Sequence, residues 1–224
     1  MTSPHLPVSI VALRTLPMFE ALSNEHLAKI AGFASLRQIP RHTTVLQAGD
    51  RTDNIYLILT GELVVQISDQ EGREVILSIL NPGEMFGEMG AMDDHPRSAT
   101  VVSSEPCDLV VIAKGDFKRC LAENLEVSLY IIHSLIKRLR DADRKIESLA
   151  LIDVYGRVAR LLLEMAETQD GRKVVTRRIT RQDIAKTIGA SREMVSRVMR
   201  DLQLRGLIKE SDGCIWLRGE IEGA

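Results

Sequence analysis

Aromatic side chains are scarce in this 224-residue chain, where phenylalanine, tryptophan and tyrosine together make up 4% of the residues. Proteins that hold single-stranded nucleic acids stack the bases on aromatic rings, so the composition argues against a surface of that kind. The hydrophobic fraction of 45% and the charged fraction of 27% are those of a globular protein, and the length predicts one or two domains.

Cysteine is equally sparse, with Cys107, Cys120 and Cys214 far apart along the chain. An odd number at such spacing argues against a disulfide framework and offers no metal-binding CxxC pair, which fits a reducing compartment. The N-terminus lacks a secretory signal pattern, and the most apolar run, 127–136, is far shorter than the roughly 20 residues that span a bilayer. We therefore expect a cytoplasmic protein without a membrane partner.

Catalytic motifs are also missing. The chain contains no HExxH, no GxSxG and no phosphate-binding loop of the Walker type, and its five histidines show no metal-ligand spacing. His95, close to Arg97, is the single candidate, and a loop histidine before a proline is more often solvent-exposed. The sequence predicts no catalytic residues, no metal and no enzyme.

Charge is distributed unevenly along the chain. The whole chain carries 29 basic and 31 acidic residues, but residues 172–209 hold eleven basic and three acidic ones. This segment has a net charge of +8, and the remainder has a net charge of −10. A basic C-terminal module attached to an acidic body indicates a polyanionic partner, against the alternative of a solvated helical domain.

The first half of the chain is dominated by β patterns. An amphipathic stretch over 16–34, with Ser23 as a helix cap, predicts a short N-terminal helix. Short β runs follow, separated by the glycine turns at Gly49, Gly61, Gly72 and Gly83, which favours a barrel or roll. The predicted strands are 44–46, 54–59, 62–67, 75–79, 100–103 and 108–112.

Apolar residues recur every seven positions over 125–152. One heptad position holds Leu125, Ile132, Leu139 and Ile146, and the other holds Ser128, Leu135, Ala142 and Leu149. This pattern predicts a dimer seam, with Lys137, Arg138, Arg140, Asp141, Arg144 and Lys145 on its outer face. A long helix packed within its own chain is the alternative. Asp153 caps a following helix over 154–167, so we predict domains 1–123, 124–152 and 153–224.

The basic module contains two short helices joined by a glycine turn. Thr180 and Asp183 form a capping box, Gly189 ends the first helix and Ser191 caps the second. The buried stripe of the second helix is predicted as Val195, Val198, Met199 and Leu202. Its opposite face carries Arg192, Glu193, Ser196, Arg197 and Arg200, which is the arrangement that reads a DNA major groove.

Arginine bonds guanine through two parallel hydrogen bonds, and glutamate accepts from the cytosine amino group. Arg192, Glu193 and Arg197 are therefore the predicted base readers. Lys186, Arg200 and Arg205 are predicted to contact phosphates. Strands 207–209 and 214–217 flank Asp212 and Gly213, which predicts a hairpin that forms a wing.

The segment 86–100 combines the groups that a buried cyclic phosphodiester requires. Arg97 supplies positive charge, Ser98 a hydroxyl and Glu88 an acceptor for a ribose hydroxyl, while Gly87 and Gly90 let the backbone approach. An ordinary β-turn with a surface ion pair is the equal alternative from these residues alone.

Two motifs carry a family resemblance that covers nearly the whole chain. FGEMGAMDDHPRSAT resembles the phosphate-binding cassette of cyclic-nucleotide-binding domains, and ITRQDIAKTIGASREMVSRVMRDLQLRGLI resembles the helix-turn-helix of Crp/Fnr transcription regulators, especially cAMP receptor proteins. The implied ligand set is Gly87, Glu88, Met89, Arg97, Ser98, Ala99, Ala142 and Asp143. The implied DNA-binding set is Thr180, Arg181, Gln182, Ser191, Arg192, Glu193, Ser196, Arg197 and Arg200, reading a TGTGA-like half-site.

The chain departs from cAMP receptor proteins at two places. The Thr followed by Ser or Asn that contacts adenine is replaced by Ala142 and Asp143. A carboxylate accepts from the adjacent N–H donors of guanine, which makes cyclic di-GMP a rival to cAMP, but it also accepts from the adenine amino group. Ser196 stands where those proteins usually have Gly and matches the Fnr pattern, which implies a hybrid half-site. The Fnr iron–sulfur cysteine cluster is absent.

The predicted fold class is α+β: a cyclic-nucleotide-binding β-roll (jelly roll) with flanking helices, a long dimerisation helix and a C-terminal winged helix-turn-helix. The predicted function is a homodimeric transcription regulator that binds a cyclic nucleotide effector and a palindrome in double-stranded DNA, with RNA polymerase as a further partner. A constitutive regulator with a vestigial pocket is the alternative.

Overall fold

The structure, a computed structural model, describes residues 6–169, 171–211 and 213–218. These residues divide into two compact units, one formed by 6–73 and 77–138 and the other by 74–76 and 139–218. The long helix α5, Leu125–Leu151, spans the boundary between them in sequence.

The N-terminal half is a roll of two antiparallel sheets flanked by helices. Its strands are β1 Leu6–Pro7, β2 Ser35–Ile39, β3 Thr44–Leu46, β4 Asn54–Thr60, β5 Leu63–Ser68, β6 Glu74–Leu80, β7 Met85–Phe86, β8 Thr100–Ser103 and β9 Cys107–Ala113. Its helices are α1 Ile10–Arg14, α2 Asn24–Phe33, α3 Glu88–Asp93 and α4 Lys114–Glu123. The strand orders are β1-β2-β9-β4-β7 and β3-β8-β5-β6.

Strands β4 and β9 pair with each other at the centre of the first sheet and are buried on both faces. Ile55 and Leu57 of β4 face a core shared with the helices, while Tyr56 and Ile58 face a core shared with the second sheet. This alternation follows from the two-residue period of a strand. The central pair of strands therefore contributes side chains to both cores.

The second unit packs three helices on a four-stranded antiparallel sheet. The helices are α6 Val154–Met165, α7 Arg181–Ile188 and α8 Arg192–Leu204. The strands are β10 Glu167–Gln169, β11 Arg172–Val175, β12 Ile208–Ser211 and β13 Cys214–Leu217, in the order β10-β11-β13-β12. Val158, Leu162, Ile184, Val195 and Met199 meet in its core.

Most sequence predictions of local structure are confirmed. The strands 44–46 and 100–103 have the predicted bounds, and the four turn glycines have φ between 76° and 89°. Ser23 and Asp153 cap the helices that begin after them, by accepting backbone N–H bonds at 3.2 and 2.8 Å. The capping box of α7 and the Ser191 cap of α8 are also present.

The amphipathic stretch over 16–34 contains one α-helix, and this helix begins after Ser23, as the predicted cap implies. Pro17–Phe19 forms a short 3-10 turn, and α2 starts only after Ser23, because the serine side chain caps a new helix there. Strands β1, β2 and β7 were not predicted, because their sequences show no clear alternation of apolar and polar residues. Helix α6 ends at Met165, two residues before the predicted end at 167. The wing hairpin pairs Ser211 with Cys214, while its predicted turn residue Asp212 lies outside the described residues.

Burial distinguishes the cysteines chemically. Cys107 and Cys120 are buried and Cys214 is half-buried. Burial raises the pKa of Cys107, and it raises the pKa of Cys120 to about 11, so these two thiols stay protonated near pH 8.

We expect the native protein at pH 8 to react rapidly with a thiol reagent at Cys214 alone, and at all three cysteines once it is unfolded in guanidinium. A Cys214→Ser variant should lose the fast phase. A fast phase that persists in this variant would contradict the assignment.

Candidate functional site

A sharp turn between β7 and α3 places a backbone carbonyl against the Arg97 side chain. Gly87 has φ +81°, and a Cβ at this position would lie 3.1 Å from Arg97 Nη1 and 3.1 Å from the Asn54 carbonyl oxygen. Glycine is needed here for its backbone conformation and for the space. The next residue, Glu88, begins α3 and is 3% exposed.

Arg97 lies beneath this turn and is 5% exposed. Its Nε donates to Thr52 Oγ1 at 2.8 Å, its Nη2 donates to the Asn54 carbonyl at 2.6 Å, and its Nη1 donates to the Gly87 carbonyl. Its own backbone N–H and C=O bond Asp50 and Gly49, each at 2.8 Å. The residue is thus held at both its backbone and its side chain.

All three acceptors of the Arg97 guanidinium are neutral. Among the described residues, no carboxylate forms an ion pair with it, and burial lowers its pKa despite the charges of Asp53 and Glu88 nearby. Arginine nevertheless keeps its charge at neutral pH, and two of its five N–H groups remain for another acceptor. A buried cation without a counter-ion is suited to receive an anion.

Glu88 has a counter-ion that the sequence did not predict. Its Oε1 accepts from Arg138 Nη1 at 2.7 Å, and Arg138 Nη2 donates to the Met85 carbonyl. The prediction that Arg138 lies on the outer face of the α5 seam is therefore wrong. A carboxylate with 4% of its side chain exposed requires a cation, and Arg138 is long enough to reach it from the helix.

The remaining predicted ligand residues lie as follows. Ala99 is buried, whereas Met89 and Ser98 are exposed next to the cassette. Ala142 and Asp143 are exposed on α5. The structure brings together Gly87, Glu88 and Arg97, and the participation of the other residues stays a prediction.

The sequence patterns did not indicate Thr52 or Arg138 as residues of the site. Thr52 lies 45 residues before Arg97 in the chain, and no local pattern marks a lone threonine in a loop as its partner. Arg138 had one available signal. Its position four residues before Ala142 places both on one helix face, so a cation was to be expected beside the predicted ligand residues.

The predicted DNA-reading face is present on α8. Arg192, Glu193, Arg197 and Arg200 are exposed, and Ser196 is half-buried with its Oγ donating to the Arg192 carbonyl at 2.8 Å. The first three of these, with Ser196, line an open depression. Val195, Met199 and Leu202 are buried on the opposite face as predicted, and Val198 is partly buried.

Glu193 is an acceptor between the arginines. Its own backbone N–H, then the Ser191 hydroxyl, and then the charges of Arg192 and Arg197 lower the pKa of its carboxyl group. It therefore carries a negative charge at neutral pH, as an acceptor for a cytosine amino group must. The exposed face therefore presents one acceptor, Glu193, between two donors, Arg192 and Arg197.

Other predicted DNA-contacting residues already have protein partners. Arg181 pairs with Glu210, and Arg205 pairs with Asp201 at 2.7 Å while lying over the Tyr155 ring. Thr180 is engaged in the capping box of α7, and Gln182 is exposed beside it.

Two family models match the chain. The cyclic nucleotide-binding domain matches residues 36–124, and the Crp-like helix-turn-helix domain matches residues 156–218. Among the described residues, no helix is long and apolar enough to cross a membrane, and no three acidic, histidine or cysteine side chains are grouped to hold a metal ion.

Relatives and solved structures agree with these matches. The cAMP-activated global transcriptional regulator Vfr of Pseudomonas aeruginosa is 34% identical over 194 residues, 82% of this chain and 89% of the relative. The cAMP-activated regulator CRP of Haemophilus influenzae is 32% identical over 77% of this chain and 79% of its own. The c-di-GMP responsive global regulator CLP of Xanthomonas campestris has a TM-score of 0.76 at 27% identity, covering 88% of this chain and all of the other.

The fold and the family matches define a DNA-binding transcription regulator with a cyclic-nucleotide-binding domain, and not an enzyme. The chain belongs to the Crp/Fnr family.

The ion pair between Glu88 and Arg138 should contribute measurably to stability. We expect a double-mutant cycle with Glu88→Gln and Arg138→Met to give a coupling of about 1–3 kcal/mol in urea unfolding, because the carboxylate is buried. The control is a cycle on Asp141 and Arg144, whose side chains are 43% and 65% exposed and should couple by about 0–1 kcal/mol. Equal couplings in the two cycles would contradict the buried role.

Proposed function

We propose that the protein is a homodimeric transcription regulator in which a cyclic nucleotide, bound in the roll, controls binding of the two α8 helices to a palindromic operator. The observation that carries this proposal is the buried guanidinium of Arg97, which has neutral acceptors and no carboxylate partner among the described residues. An anion bound to the two N–H groups that remain would give this cation charge-assisted hydrogen bonds, which are stronger than those to neutral acceptors.

Each polar group of the site has a defined role in this proposal. The cyclic phosphate accepts from the remaining Nη N–H groups of Arg97, with the Ser98 hydroxyl beside them. The ribose hydroxyl donates to the Glu88 carboxylate, whose Oε1 is occupied by Arg138. The base then reaches towards α5, where Ala142 and Asp143 are the predicted contacts.

Dimerisation in this proposal uses the apolar face of α5. Seven of its large apolar side chains are between 40% and 64% exposed: Leu129, Ile132, Leu135, Ile136, Leu139, Ile146 and Leu149. A row of this kind on one long helix is costly in water and is suited to a coiled coil with a second copy. The two reading helices then meet half-sites centred roughly 34 Å apart.

Effector control requires that the nucleotide bind one state of the dimer more tightly than the other. Coupling energies of about 1–3 kcal/mol are typical of such control and correspond to roughly 5- to 150-fold changes in DNA affinity. The effector acts on α5, because this helix carries Arg138 and the predicted base contacts. We place this regulation in the cytoplasm, where bound dimers contact RNA polymerase.

Cyclic AMP is the effector we propose first, because relatives at 32–34% identity are cAMP-activated. Cyclic di-GMP is the second candidate, and a specific observation favours it. Asp143 offers a carboxylate that accepts from the adjacent N1–H and N2–H donors of guanine, and Ala142 leaves room beside it. The solved structure of a c-di-GMP responsive regulator shares this fold.

Calorimetry with cAMP, cyclic GMP and cyclic di-GMP tests the effector site. We expect Arg97→Gln to weaken binding of the effector at least about 100-fold, because charged hydrogen bonds to the phosphate are lost. Arg73→Gln, at an exposed arginine of the same roll, is the control and should bind as the wild type does.

Asp143→Ala decides between the two effectors. If the wild type binds cyclic di-GMP and Asp143→Ala does not, cyclic di-GMP is the effector. If the wild type and Asp143→Ala bind cAMP equally well, cAMP is the effector. Binding of none of the three nucleotides, with unchanged operator binding, would select a constitutive regulator instead.

Operator binding tests the reading face. We expect Arg197→Ala to weaken binding to a TGTGA-palindrome duplex by about 1–3 kcal/mol in fluorescence anisotropy at fixed salt, with little effect on a scrambled duplex. Arg200→Ala should weaken both duplexes alike and reduce the salt slope by about 1, as a phosphate contact does. Equal losses on both duplexes for Arg197→Ala would show that it does not read a base.

A further inference from the structure

Among the described residues, three groups accept hydrogen bonds from the Arg97 guanidinium, and the Thr52 hydroxyl is the one that belongs to a side chain. The other two are the main-chain carbonyls of Asn54 and Gly87, which no substitution removes. Thr52 is an exposed residue of the loop between β3 and β4, and its Oγ1 lies 2.8 Å from Arg97 Nε. The contact therefore lies at the solvent side of a buried cation.

This bond decides which edge of the guanidinium is free. Nε carries a single N–H, which donates to Thr52. Nη1 and Nη2 carry two N–H groups each, and among the described residues each nitrogen donates to one protein acceptor. An anion must then approach the two terminal nitrogens, because the alternative edge, formed by Nε and one Nη, is blocked. The bond from Nε also holds the plane of the group.

We infer that Thr52 is a positioning residue of the effector site, which orients Arg97 so that its terminal nitrogens meet the anionic group of the nucleotide. The inference rests on the proposed function. It adds a residue that the cassette motif does not contain, contributed by a loop 45 residues earlier in the chain.

The loop keeps its place without the hydroxyl. Gly49 and Asp50 bond the backbone of Arg97, each at 2.8 Å, and Asp53 accepts from the Lys114 backbone at 2.7 Å. Valine has the shape and β-branching of threonine, so Thr52→Val removes the acceptor while these bonds remain. Thr52→Ser keeps the hydroxyl and is the rescue variant. Thr44→Val, at an exposed threonine of β3, is the matched control.

Two measurements on the full chain test the inference. The first is the solvent exchange of the Arg97 Nε–H in the nucleotide-free protein by NMR, with the resonance assigned by its loss in Arg97→Lys. We expect exchange about tenfold faster in Thr52→Val, and wild-type exchange in Thr52→Ser and Thr44→Val, because a hydrogen bond protects the proton.

The second measurement is calorimetry with cAMP and cyclic di-GMP. We expect Thr52→Val to bind the effector about tenfold more weakly than the wild type, with Thr52→Ser restoring most of the affinity. Unchanged Nε–H exchange in Thr52→Val overturns the inference, and so does unchanged affinity. A wild-type protein that binds none of cAMP, cyclic GMP and cyclic di-GMP defeats the proposed function, and the exchange measurement then decides whether Thr52 orients Arg97.

Discussion

The buried charge of Arg97 is the constraint on which the proposed effector site depends. Taking a guanidinium out of water is expensive unless its N–H groups are bonded, and here the acceptors come from separate segments of the chain, at Thr52, Asn54 and Gly87. These segments must therefore stay together for the cation to stay buried. The left-handed turn at Gly87 follows from the same demand, because a side chain there would crowd the guanidinium.

The roll stabilises its two buried charges in different ways. Glu88 is neutralised within the protein by Arg138, whereas Arg97 is bonded only to neutral groups among the described residues. The ion pair of Glu88 with Arg138 connects the cassette to α5. The positive charge of Arg97 is not neutralised by an ion pair, so it can attract an anion. In the proposed function, an anionic ligand that binds Arg97 acts beside a contact that already reaches the dimerisation helix.

The second unit divides its positive charges in a comparable way. Arg181 and Arg205 pair with Glu210 and Asp201, which holds them against the surface of the unit. Arg192 and Arg197 are exposed beside Glu193 on the first turns of α8. The paired arginines hold their side chains against the unit and add to its positive potential. In the proposed function, the exposed arginines give up bound water and contact the edges of DNA bases.

Local patterns in the sequence determined much of this protein. Strand periodicity, turn glycines, the caps at Ser23, Asp153 and Ser191 and the amphipathic α8 depend on residues a few positions apart, and the structure confirms them. Gly87, Glu88 and Arg97 belong to one short motif, so the sequence grouped them, and the structure places them together. The two-residue strands β1 and β7 were missed because they are too short to show a period.

Tertiary structure alone decided the partners of the buried charges. Arg138 lies 50 residues from Glu88, and Thr52 lies 45 residues from Arg97, so both pairs exist only once the roll has closed. A heptad pattern assigned Arg138 to an outer face because periodicity records which side of a helix a residue occupies. It does not show which distant residue will lie against that side of the helix. Arg138 turns towards the roll because the buried carboxylate of Glu88 needs a cation.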